Sequence, residues 1–237
     1  MKLSSGKLAL CLSGQPRYLD VGYNSIKQLL DFYDIDVFIH TWYDEDLVGQ
    51  QYEMPELLRY NRRCIREKNV IDNIKMLYSP KQIIHEPSRI FETYDANYGL
   101  CLPNSVHSMF YSIYKSNELK KLFEFENKFT YDAVIRCRFD IVIENFLLDD
   151  IDTSKYYVSG EIHRSGQYNI PNDQFCISSS SNMDLYSNLF NNLEQYYKNG
   201  FREFVGERLL SYHITTINNK QFDFSENKLT INIVKNG

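Results

Sequence analysis

The chain has 237 residues, 43% apolar and 24% charged, which suits one substantial core and excludes a wholly disordered chain. Its 26 basic residues against 31 acidic ones give a net charge of −5. That disfavours a general nucleic-acid or anionic-membrane binder but leaves room for a local basic pocket. Cys11, Cys64, Cys101, Cys137 and Cys176 are far apart, and the N-terminal apolar run Leu8 to Leu12 is too short for a signal segment or a membrane span; the expectation is a cytoplasmic protein with neither disulfides nor a zinc site.

In chain order, Leu8 to Leu12 is a continuous apolar run that predicts a buried strand, ending in the turn Ser13-Gly14-Gln15-Pro16-Arg17. Ile26, Leu29, Leu30 and Tyr33 have helical spacing, and Asp36 to His40 predicts a second buried strand ending at Thr41-Trp42. Strand, helix and strand at this spacing predict a right-handed parallel crossover. Residues 43 to 80 are mixed and partly helical, with Asp44, Glu45 and Asp46 in a solvated turn. Gln82 to His85 predicts a short strand, and Ser105 to about Glu126 a long helix capped by Asn104 or Ser105.

Tyr131 to Asp140 predicts a strand, with 141 to 143 either continuing it or starting the next. Short strands follow at Tyr156 to Ser159 and Phe175 to Ser178. Ser181-x-x-Asp184 has the spacing of a capping box before a helix carrying Tyr186, Leu189, Phe190, Leu193 and Tyr197. A last helix is expected over Arg202 to Ile214, with an edge strand from Phe222. Alternating strands and helices predict an α/β fold of three layers with a mostly parallel central sheet.

The strand over 131 to 140 carries the most chemical information. With a period of two, Ala133, Ile135, Cys137 and Phe139 share one face, and Val134, Arg136, Arg138 and Asp140 the other. Charges in that position are costly to bury unpaired. They form either an ion-pair cluster or a polar site at the carboxyl end of the strand, where open α/β sheets bind ligands. Arg17 is a candidate phosphate clamp or a surface residue, and Trp42 either stacks on a ring of the ligand or belongs to the core. Asn172-Asp173-Gln174 suits either a site acid or an Asx turn. No G-x-G-x-x-G, Walker or G-x-S-x-G motif is present.

Four motifs occur in order over residues 7 to 215: Ser13-Gly14-Gln15-Pro16-Arg17, Asp36 to Trp42, Arg136-Cys-Arg-Phe-Asp140, and Asn172-Asp173-Gln174-Phe175. In this the chain resembles glycosyltransferases of the GT-A fold, in particular small capsule, lipopolysaccharide and giant-virus glycan transferases. The resemblance implies a single GT-A-like domain over 1–237, a nucleotide-sugar-binding half over 1–140 and an acceptor-binding half over 141–237. It implies a UDP-sugar donor and a glycan acceptor in polysaccharide assembly, with no nucleic-acid partner. Ser13, Gly14, Gln15, Arg17, Thr41, Trp42 and Arg138 fall in the donor site, Asn172 and Gln174 in the acceptor site, and Asp173 at the catalytic base.

The resemblance also implies Mn²⁺ or Mg²⁺, held by Asp140 and by His213 as a C-terminal ligand. Arg138 departs from the family's Asp-x-Asp motif; an arginine there either binds the diphosphate directly or fixes Asp140. Glu207 is a lesser candidate base, and Glu161 to Tyr168 is either an acceptor loop or a surface hairpin. Two other functions stand as alternatives: a nucleotidyltransferase on a similar sheet, which would need a glycine-rich loop with a lysine, and a non-catalytic carbohydrate-binding protein.

Overall fold

Leu8–Gly14 forms β1 and is apolar on both sides. Leu8, Leu10 and Leu12 pack into one core cluster, and Ala9 and Cys11 into the other. Such a strand belongs in the middle of a sheet covered on both faces. The computed structural model describes residues 6–52, 64–144, 148, 151–158, 160–161, 170–224 and 230–233. In it β1 is followed by α1 (Leu19–Phe32), β2 (Ile35–Trp42), α2 (Val70–Tyr78), β3 (Gln82–Glu86), α3 (Pro103–Asn127) and β4 (Ala133–Cys137). Then come β5 (Ile141–Glu144), β6 (Tyr156–Tyr157), β7 (Gly160–Glu161), β8 (Ile170–Pro171) and β9 (Phe175–Ser178). The chain continues through α4 (Ser180–Ser187), α5 (Leu189–Lys198), α6 (Gly206–Ser211), a π-helical turn over Tyr212–Ile217, β10 (Phe222–Asp223) and β11 (Thr230–Ile233).

The main sheet has the order β10-β6-β9-β4-β1-β2-β3. β3, β2, β1 and β4 are mutually parallel, whereas β9 runs antiparallel to both β4 and β6. Leu19, Ile26 and Leu29 of α1, with Val70, Ile71 and Ile74 of α2, cover one face. Phe110 and Ile113 of α3, Tyr186, Leu189 and Leu209 cover the other. This is the expected three-layer α/β/α arrangement with a mostly parallel central sheet. No helix among the described residues is long and apolar enough to cross a membrane.

Several local expectations are corrected. α3 begins earlier than predicted, with Pro103 in its first turn, where a missing N–H costs nothing, and Leu102 at the cap position. Asn104 is not a cap. Its side chain accepts from Phe91 N–H and donates to the Arg89 carbonyl, tying the preceding loop to the helix. The strand over 131 to 140 ends at Cys137, and 141 to 144 forms its own strand, paired antiparallel with β11. The cap before α4 is Ser179, whose hydroxyl accepts from Asn182 N–H, rather than Ser181.

Asp184 is drawn instead to the fully buried Lys120 of α3, whose ammonium also meets Glu124 and Ser180. A buried cation needs that many partners. The predicted helix over 186 to 197 belongs to two helices that meet at Asn188, and the predicted 202 to 214 helix shortens to α6 and its π turn. Glu161 pairs with Ile170 through β7 and β8, while residues 162–168 of the expected acceptor loop lie outside the described residues.

Candidate active site

From β1 the chain winds outward through β2 to β3, then crosses over α3 to β4 on the other side of β1. The strand order therefore reverses between β1 and β4, which is where doubly wound sheets open a ligand crevice. A cleft of about 470 Å³ lies there. Ser13, Gly14, Gln15 and Arg17 reach it from the end of β1, Trp42 from the end of β2, and Arg136 and Arg138 from the end of β4. Phe175 at the start of β9 pairs with Cys137 at the end of β4, so the antiparallel strand delivers Asp173 to the same edge. Leu100, Leu102 and Met109 form an apolar wall, with Leu100 90% exposed at the mouth.

The turn after β1 is closed by Arg17 N–H donating to the Gln15 carbonyl across Pro16 (2.9 Å). It aims Arg17 at Asp140, which is 1% exposed. Arg138 donates to Asp140 through Nε to Oδ1 (2.8 Å) and Nη2 to Oδ2 (2.7 Å), and Arg17 Nη2 lies 2.9 Å from Oδ2. Burial alone would raise the Asp140 carboxyl, but Arg138 and then Arg17 outweigh it and hold the pKa below the usual carboxylate range. A folded-state pKa below the unfolded one gives stability that is present above about pH 4 and lost on acidification through the folded value. Asp140→Asn is therefore expected to cost about 3–5 kcal/mol at pH 7, because two guanidiniums lose a buried partner. In urea unfolding at pH 7 and pH 3, the gap to wild type should shrink at the lower pH; an unchanged gap would refute the assignment.

Asp173 shows the opposite balance. Burial raises its pKa, and Arg136 and Arg138 offset only part of the rise. Arg136 is 1% exposed and its Nη1 donates to the Asp173 main-chain carbonyl, fixing the segment that carries the acid. Asn172 Oδ1 accepts from Gln174 N–H (2.8 Å), so the Asx turn belongs to Asn172 and leaves Asp173 facing the cleft. Gly206, the first residue of α6, closes the other side. A Cβ there would sit 2.1 Å from Asp173 Oδ2, so only glycine fits without moving the carboxyl.

Other expected site residues are placed elsewhere. Thr41 is buried, and its hydroxyl donates to the Gly14 carbonyl (2.9 Å) instead of lining the cleft. Gly14 N–H donates to Ser112 Oγ (2.7 Å), which in turn lies 2.8 Å from His40 Nδ1. The Gly14 peptide groups are thus spent inside the protein, and Gly14 contributes space instead of donors. Trp42 lines the cleft but stacks on Tyr111, with ring centroids 5.6 Å apart, so it belongs to the core and the rim at once. Asn172, Gln174 and Glu207 are not among the lining side chains.

His213 is corrected. Its Nε2–H donates to the Leu185 carbonyl (2.7 Å) and Tyr196 Oη bonds Nδ1, so both ring nitrogens are engaged in the packing of α4 and α5. The sequence reading counted Arg136 among the charges of the 131 to 140 segment without giving it a role, and it left Gly206 out. Arg136 carried a signal, because it sits in an otherwise apolar run just before Arg138 and Asp140. Gly206 carried none, since its role is a tertiary approach.

The expected Mn²⁺ or Mg²⁺ does not fit this donor set. Both Asp140 oxygens accept from guanidiniums, and three arginines lie about Asp140 and Asp173. Among the described residues no three His, Cys, Asp or Glu side chains come together as a metal cluster.

The sequence matches no protein-family model, and no curated protein matches it. Among solved structures, the chain is similar over 92% of its length to the apo form of the glycosyltransferase GlyE of Streptococcus pneumoniae TIGR4, at 10% identity and a TM-score of 0.42. It is similar over 87% to a glycosyltransferase involved in glycosylation of the major capsid of PBCV-1, at 10% identity and a TM-score of 0.36. It is similar over 92% to mouse xyloside xylosyltransferase 1 in its apo form, at 13% identity and a TM-score of 0.42. The chain spans 45%, 74% and 84% of these three proteins respectively. Likeness at this level concerns the course of the chain and says nothing of the chemistry in the cleft.

Proposed function

We propose that this chain is a glycosyltransferase that moves a sugar from a nucleoside-diphosphate sugar, UDP in preference to GDP, to a hydroxyl of a glycan. The observation that supports it best is the meeting, in one cleft at the switch point of the sheet, of an arginine group with a buried acid of raised pKa. The arginines suit a diphosphate, both as ligands and as cations that offset charge on it as it departs. A carboxyl shifted upward by burial suits a general base working near neutral pH.

In this reading the acceptor hydroxyl gives its proton to Asp173 as its oxygen attacks the anomeric carbon. The bond from that carbon to the diphosphate oxygen breaks, and the diphosphate leaves against Arg17 and Arg138. Arg136 keeps Asp173 in place through the main-chain carbonyl. Leu100, Leu102 and Met109 offer the apolar wall against which a sugar or nucleoside ring can lie.

Thermal unfolding with UDP, GDP and CMP tests the donor half of this reading. A ligand that binds only the folded state stabilises it by about 2.7 kcal/mol at a concentration of about 100 times its Kd. UDP is expected to raise Tm more than GDP or CMP. If none of the three raises it, the cleft is not a donor site.

A further inference from the structure

We infer that the cleft takes the diphosphate on Arg17, Arg138 and Arg136 without a divalent cation, and that Asp140 is a positioning residue for two guanidiniums, not a metal ligand. This rests on the donor reading above and specifies how that site binds its anion.

The charges support it first. Among the described residues, three guanidiniums and one carboxyl, that of Asp173, line the cleft, so its lining carries a surplus of cationic side chains. A doubly anionic diphosphate matches that surplus, whereas a dication would add to it. The geometry agrees. Asp140 is almost wholly buried and accepts three charge-assisted contacts, holding the Arg17 and Arg138 side chains 14% and 20% exposed beside the cleft. Two long, flexible cations thereby arrive already ordered, which lowers the entropic cost of gripping an anion.

Two donors point the same way. Ser13 Oγ, on a residue 2% exposed, and the buried Arg136 Nε have no hydrogen-bond partner among the described residues, and both residues line the cleft. Buried donors left unmade are expensive, and the oxygens of a bound anion would satisfy them.

The experiment is calorimetric titration of the purified chain with UDP and with inorganic pyrophosphate, each in EDTA and in Mn²⁺. Affinities are expected to agree within about threefold between the two conditions, and Arg138→Gln to lose at least about tenfold in both. Asp140→Asn, measured at low temperature where it stays folded, separates the roles. As a positioning residue its loss leaves pyrophosphate binding in EDTA within about tenfold of wild type and insensitive to Mn²⁺. As a ligand, its loss removes a metal-dependent component. Binding seen only with Mn²⁺ overturns the inference and leaves the donor reading standing. Absence of binding by either compound under both conditions overturns the two together.

Discussion

Gly22→Ala is expected to destabilise the fold by about 3 kcal/mol or more, against the direction that helix propensity alone would give. In an exposed helix interior, replacing glycine by alanine gains up to about 1 kcal/mol. Here the fourth residue of α1 lies against the turn after β4, and an added Cβ would sit 1.7 Å from the Phe139 carbonyl oxygen and 2.9 Å from its carbon. Backbone atoms cannot swing aside as a side-chain tip can, and Phe139 is itself fully buried, so either α1 or the turn must move. The turn carries Arg138 and Asp140. Denaturant unfolding should show the loss of stability, and the UDP-dependent rise in Tm should fall with it. A variant as stable as wild type would mean that α1 does not approach the turn this closely.

Asp173→Asn should separate stability from activity. A buried acid whose folded pKa is raised binds its proton more tightly in the folded state, so its contribution to stability falls as pH rises from about 3.9 through the folded value. Above the unfolded value the raised pKa therefore costs stability, a cost that asparagine does not carry. The Arg136 bond to the main-chain carbonyl of residue 173 survives the substitution. Tm is expected to rise at pH 7 to 8, with the gain vanishing below about pH 4. Sugar transfer should fall by about 10²–10⁴-fold, the usual worth of a general base. A variant of unchanged Tm and unchanged rate would remove Asp173 from the mechanism. Wild-type kcat should decline on the acid side with an inflection above the usual carboxylate range, since the base must be deprotonated to act.

The parallel half of the sheet was legible because β1 and β2 are short continuous apolar runs, a pattern few other environments tolerate. The charged end of the 131 to 140 segment was legible for a related reason: Arg136, Arg138 and Asp140 alternate in a run that is otherwise apolar, although only Arg136 lies on β4 itself. The assignment of Asp173 needed the resemblance, because Asn-Asp-Gln before a strand fits an Asx turn equally well, and Asn172 does make that turn. What failed depended on partners distant in sequence. Asp184 has cap spacing but answers to Lys120, 64 residues away. His213 has the look of a late ligand but meets Tyr196 and a carbonyl of α4. Gly22 and Gly206 are close approaches between segments, and no spacing within one segment can announce them.

The reversal of chain direction at β9 divides the cleft by origin. The residues proposed to grip the anion emerge from the outgoing ends of parallel strands, where the backbone is pinned by neighbours on both sides. The acid arrives on the incoming end of an antiparallel strand. In the proposed reading, the acid side of the cleft can therefore be altered at Asp173 and at position 206, which faces it, without touching the arginines that grip the anion.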